Sequence, residues 1–213
     1  MNQFSKVELR DLLIAFVVLS FCFAISNVGL DVNGILSILP IVMFGVGIGF
    51  IFHELGHKYV AMKNGCRAEF KVWPIGLLIG FVTAFLGVVF AFPGEVKVYA
   101  ENLTEELEGR ITVAGPAANI LLAFIFIVVA AFIYPLKFSS DFFNLIFLIC
   151  TVGFSVNGFL ATFNMLPFWS LDGIKVLKWN WKVWIVTFAV AAIMMLSSIS
   201  IGAENMVKLI MIM

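Results

Sequence analysis

The chain has 213 residues, of which 62% are hydrophobic and 12% charged, and its formal net charge is zero. That composition excludes an ordinary soluble domain and marks an integral membrane protein, while the balanced charge offers nucleic acid nothing to bind. With most of its surface facing lipid, the expected architecture is one domain over residues 1–213. It should be an all-α polytopic bundle of about five to six transmembrane helices, with no separate soluble domain.

Residues 1–10 are polar and include Lys6 and Arg10, and no small-residue cleavage site closes the apolar run that follows. Residues 12–28 therefore read as a retained first span, long enough to cross a bilayer as a helix. Asp31, Asn33 and Gly34 make a turn. The second span covers residues 35–63. Its uncharged part contains Pro40, which a membrane helix tolerates as a kink, and Asn64-Gly65 ends it.

This span carries Phe52-His53-Glu54-Leu55-Gly56-His57, and its two histidines are the only ones in the chain. Histidines four apart share a helix face and can grip one ion. Glu54 is not needed as a ligand and can take a proton from a metal-activated water. The plain alternative is a helix end with a polar face, although ionisable groups at membrane depth are costly and usually functional. Lys58, Lys63, Arg67 and Lys71 cluster just beyond, which puts that end in the cytoplasm.

Residues 68–73 and 95–100 alternate in polarity and predict short strands. Between them, residues 72–94 are uncharged and glycine-bearing, and periodicity does not distinguish a membrane helix from a pair of strands dipping in and out. Thr104 is placed to cap an acidic turn containing Glu105, Glu106 and Glu108. The next span, residues 111–136, carries Gly115-Pro116-Ala117-Ala118-Asn119 in what should be its first two turns. There a proline costs little, because first-turn N–H groups have no helical partner. The small residues suit close helix packing, and Asn119 wants a partner. Residues 142–164 form another span, broken at Asn164-Met165-Leu166-Pro167. Phe168-Trp169-Ser170-Leu171-Asp172-Gly173 follows, then Lys175, Lys178 and Lys182, a last span at residues 183–203 and an apolar tail. Cys22 and Cys150 read as packing residues, and none of the three cysteines as a disulfide or metal partner.

A catalytic zinc usually takes three protein ligands and keeps one open position. With both histidines used, the third should be acidic. Most acidic residues lie in polar loops, whereas Asp172 follows a span directly, in an apolar setting at a helix start. Ligand and plain N-cap are both open to it.

HExxH in a membrane helix, then Gly115-Pro116-x-x-Asn119, then Asn164-x-x-Pro167-x-x-x-Leu171-Asp172-Gly173 together resemble the site-2 protease family of intramembrane zinc metalloproteases (peptidase family M50). The three motifs run in family order from His53 to Gly173. The resemblance implies one Zn2+ per chain on His53, His57 and Asp172, with Glu54 as general base. It implies that Asn164 lies beside the site, steadying substrate or oxyanion, and that residues 115–119 pack nearby. The implied substrate is a transmembrane segment of another protein, cut within the lipid bilayer of the cell membrane towards its cytoplasmic side. No PDZ-like or CBS-like appendage is visible, as in a minimal family core.

Other readings fit less well. A membrane metal transporter would need further ligands along a path, and the chain has no other histidine. An inactive relative would not need Glu54. A CaaX-processing type of membrane zinc protease should bring a downstream glutamate, and no acidic residue follows Gly173 before Glu204.

Topology constrains residues 72–94. A single crossing there would leave Asp172 about 30 Å of hydrocarbon from the histidines. An even number of crossings is therefore expected, as a re-entrant hairpin, with Met1 in the cytoplasm and Met213 outside.

Overall fold

The computed structural model describes residues 4–168 and 170–212. Met1, Met213 and Trp169, named above, lie outside the described residues. The chain forms two compact units, Met1–Asn102 and Leu103–Met213. Among the described residues, five helices are long and apolar enough to cross a membrane.

In the first unit, α1 spans Lys6–Val28 and α2 spans Val32–Lys63. The first helix begins six residues before the predicted 12–28, because Ser5 caps it by accepting the Glu8 N–H at 3.0 Å. The polar start is thus helical and folded inward, with Glu8 and Asp11 both buried. Helix α2 runs unbroken through Pro40 and ends as Asn64-Gly65 predicts. Gly65 takes φ +78°, its N–H bonds the Met62 carbonyl and the Cys66 N–H bonds the Ala61 carbonyl, a Schellman closure. The two helices meet at Gly47, where a Cβ would lie 1.8 Å from the Phe16 ring. Only glycine permits that approach.

Strand β1 (Arg67–Val72) pairs antiparallel with β2 (Gly94–Tyr99), each one residue earlier than predicted. Residues 72–94 are resolved by this pairing. Val72 is the register partner of Gly94, and Trp73 N–H bonds the Pro93 carbonyl at 2.9 Å. Between them α3 (Pro74–Ala84, 11 residues) runs out, and residues 85–93 return without regular structure. Eleven residues at 1.5 Å each are too short to span a bilayer. Because the two ends are hydrogen-bonded neighbours, the segment returns to where it starts.

In the second unit, α4 (Glu105–Ile133) is capped by Thr104 as expected and continues into a short 3-10 turn, Tyr134–Leu136. Since the acidic turn is itself helical, Pro116 lies about three turns in, not in the first two turns. It removes one interior helix hydrogen bond, which costs the helix real stability. Helix α5 (Asp141–Asn164) packs against α4 around Ala123, Ile127, Phe147, Cys150 and Phe154, with Gly153 admitting the Phe126 ring. Lipid is as apolar as these side chains, so close packing and hydrogen bonds hold the pair together. Asn119 finds its partner there: its amide donates to Asn157 Oδ1 at 2.9 Å, and both residues are fully buried.

Three further helices follow: α6 (Asp172–Trp179), α7 (Trp181–Ser200) and α8 (Ala203–Ile212). The last occupies what reads in sequence as an apolar tail. Glu204 in its first turn pairs with the buried Lys137 at 2.9 Å.

Candidate metal centre

Helix α2 presents His53 and His57 one turn apart on a single face. Their Nε2 atoms lie 3.0 Å from each other and their rings meet edge to face with centroids 4.6 Å apart. Both imidazoles and Glu54 are buried. Two ring nitrogens aimed at one point suit a cation with a preference for nitrogen donors, as zinc has. Glu54 follows His53 directly on the same helix.

The residue after this pair carries a buried charge. Lys58 Nζ lies 2.5 Å from Glu8 Oε2 and 4.0 Å from the centre of the Phe4 ring. An uncompensated buried cation is costly, and Glu8 neutralises this one. Nothing local in the sequence announces this pairing across 50 residues, although a glutamate at the head of an apolar helix is an oddity that could have flagged it. Further out, the Glu69 carboxyl is held below its usual range, first by a hydrogen bond from the Ser5 hydroxyl and then by Lys71.

The other two predicted residues belong to the second unit. Asp172 is the first residue of α6, and the capping position is Leu171. The N-cap role left open for Asp172 is therefore not the one it takes. Instead its carboxylate sits at the positive end of the helix. Gly173 beside it is obligatory: a Cβ there would lie 2.1 Å from the Met165 carbonyl oxygen and 2.6 Å from that of Leu166. The same Met165 carbonyl accepts the Trp184 indole N–H at 2.8 Å, tying α7 to this break. Asn164 is the last residue of α5 and donates one amide hydrogen to the Leu160 carbonyl at 3.0 Å.

Sequence reasoning missed Glu8, Asn157 and Trp184. Asn157 had a usable signal, being a second amide inside an uncharged span that, like Asn119, requires a partner. Cys22, Cys66 and Cys150 are buried free thiols.

No solved structure matches the chain. The chain is 41% identical over 185 residues to a provisionally named zinc metalloprotease of Methanocaldococcus jannaschii, covering 86% of this chain and 90% of that protein. A second protein of the same organism, named a zinc metalloprotease, is 27% identical over 180 residues, with 81% of this chain and 41% of that one covered. A provisionally named zinc metalloprotease of Bacillus subtilis is 29% identical over 153 residues, with 67% and 70% covered. Residues 41–149 match the family described as Peptidase family M50. With its five membrane-length apolar helices and a buried histidine pair inside the matched region, this multi-pass membrane protein belongs to peptidase family M50.

Proposed function

We propose that the chain is a zinc-dependent intramembrane endopeptidase that cuts transmembrane segments of other membrane proteins. The observation that carries this is the pair of buried imidazoles converging to 3.0 Å on a helix of membrane length, with Glu54 between them in sequence. His53 and His57 supply two zinc ligands. Asp172 supplies the third, a carboxylate in an apolar setting one residue past the N-cap position, which Leu171 occupies.

The metal, one per chain, would act as a Lewis acid towards the attacking water and the scissile carbonyl. Glu54 accepts the water's proton and hands it to the leaving amine nitrogen, which a buried carboxylate can do in both directions. Asn164 spends one amide hydrogen on Leu160, and its second N–H is the donor we assign to the developing oxyanion.

A transmembrane helix hides its peptide bonds, so the substrate must unwind and find backbone partners. The Phe70 N–H of β1 is taken by Glu8 and that of Val72 by Asp11, so this edge is closed. The outer edge of β2 has no strand beside it among the described residues and is where an extended segment can add.

Topology supports the same reading. Residues 72–94 return to their start. If α4 and α5 each cross once, Asp172 emerges on the side where α2 ends. Lys175, Lys178 and Lys182 then join Lys58, Lys63, Arg67 and Lys71 on the cytoplasmic side.

The test separates binding from chemistry. Purified Glu54→Gln should retain zinc and lose cleavage of a transmembrane substrate, whereas His53→Ala and His57→Ala should lose both. Loss of zinc from Glu54→Gln would remove Glu54 from the role of base. A proteomic comparison of membranes carrying wild type or Glu54→Gln would then identify substrates.

A further inference from the structure

We propose that Glu8 is a positioning residue for this reaction, fixing the two-stranded hairpin against the HExxH helix. The inference rests on the function proposed above.

Ser5-x-x-Glu8 has the spacing of a capping box, in which the glutamate turns back to the N–H of the capping residue. Ser5 does its half, accepting the Glu8 N–H. The Glu8 carboxylate goes elsewhere. Oε1 accepts from Lys58 Nζ at 2.6 Å and from the Phe70 N–H at 3.1 Å, and Oε2 accepts from Lys58 Nζ at 2.5 Å. The Lys58 and Glu8 side chains are only 5% and 2% exposed.

One carboxylate thus joins three elements. It belongs to α1. Lys58 is the residue after His57 on α2. Phe70 lies in mid-β1, and its ring packs edge-on against Phe50, three residues before His53, with centroids 5.6 Å apart. Neighbouring contacts repeat the design. Asp11, one turn along α1, accepts the Val72 N–H at 3.4 Å, and the Ser5 hydroxyl donates to Glu69 at 2.6 Å.

The head of α1 therefore stands where a third strand would pair, holding β1 in one register beside the histidines. A buried ion pair contributes little net stability compared with apolar side chains of the same volume, so its contribution here is geometric. Because β2 is carried on β1 residue by residue, the place of its open edge relative to Glu54 depends on Glu8.

The test uses the full chain in proteoliposomes. Glu8→Ala is the direct variant, but it leaves Lys58 as a lone buried cation. Two double variants avoid this. Glu8→Gln with Lys58→Met keeps an acceptor for the Phe70 N–H, and Glu8→Met with Lys58→Met removes it. The readouts are amide exchange over residues 67–72, zinc content, and KM and kcat on a transmembrane peptide.

The Met/Met variant should exchange faster than the Gln/Met variant and show a KM raised about tenfold, the weight of one charge-assisted or buried hydrogen bond, with kcat much less affected and zinc content equal. Equal KM in the two, or a fall in zinc and kcat with KM unchanged, overturns the proposal. If wild type fails to cut the peptide while the exchange contrast holds, the substrate reading falls and the hold of Glu8 on β1 stands.

Discussion

Gly173→Ala probes the geometry on which the proposed third ligand depends. A Cβ at this position would lie 2.1 Å from the Met165 carbonyl oxygen, 2.4 Å from its carbon and 2.6 Å from the Leu166 oxygen. Since real Cβ contacts do not fall below 3.0 Å, the start of α6 and the end of α5 must separate by about 0.9 Å. Neither side yields easily. Moving Met165 strains its 2.8 Å bond from Trp184, worth about 1 kcal/mol, and moving α6 carries Asp172 with it. Overpacking of this kind costs about 1–3 kcal/mol in folding stability. Zinc–ligand distances tolerate about 0.2 Å, so a shift of this size at the residue adjoining Asp172 should weaken zinc binding about 10- to 100-fold. The assay is chelator competition on the purified chain, with thermal unfolding of the zinc-free form alongside. Gly158→Ala is the milder comparison, since its Cβ would lie 3.2 Å from the Met195 backbone N and needs a shift of only a few tenths of an ångström. A folded Gly173→Ala protein that binds zinc like wild type would refute the assignment of Asp172.

Four other outcomes are expected. Asn164→Ala should keep zinc and lower kcat by about 10²-fold, as for loss of an oxyanion donor, and unchanged turnover on a model transmembrane substrate would reduce Asn164 to a helix-end residue. A double-mutant cycle on Asn119 and Asn157 should give a coupling of about 0.6–1.7 kcal/mol in detergent unfolding, the range for interhelical hydrogen bonds in membranes, and additivity would mean the pair is idle. Single cysteines placed at Glu101 and Lys175 should label from the same face of the membrane; opposite faces would contradict the topology or Asp172 as a ligand. The Glu204 carboxyl is held below its ordinary 4.5, first by the hydrogen bond from Lys137 and then by Lys208. A depressed acid stabilises above its unfolded pKa, so the attachment of α8 should be constant near neutrality and weaken as pH drops below about 4.5; amide exchange in residues 203–212 that ignores this range would refute the tie.

Much of this protein is local and was therefore readable in sequence. A helix closes its hydrogen bonds within four residues, and in lipid it must close them all, so uncharged runs announce spans without reference to anything distant. The same holds for Thr104 as a cap, for Asn64-Gly65 as a stop, and for two histidines four apart facing one point. What the tertiary structure decided is whatever depends on partners far along the chain. Residues 72–94 are equally apolar whether they cross or return, and only the pairing of Val72 with Gly94 distinguishes the two. The polar head of α1 falls outside the span expected from sequence because charge interrupts the apolar pattern, yet Glu8 is buried by Lys58 and Phe70, 50 and 62 residues away. Asn119 shows its need for a partner in sequence, but not that Asn157 meets it. A buried charge or amide must be satisfied, and composition reveals that need; which residue satisfies it follows from how helices and strands pack, a non-local arrangement that no short window of sequence contains.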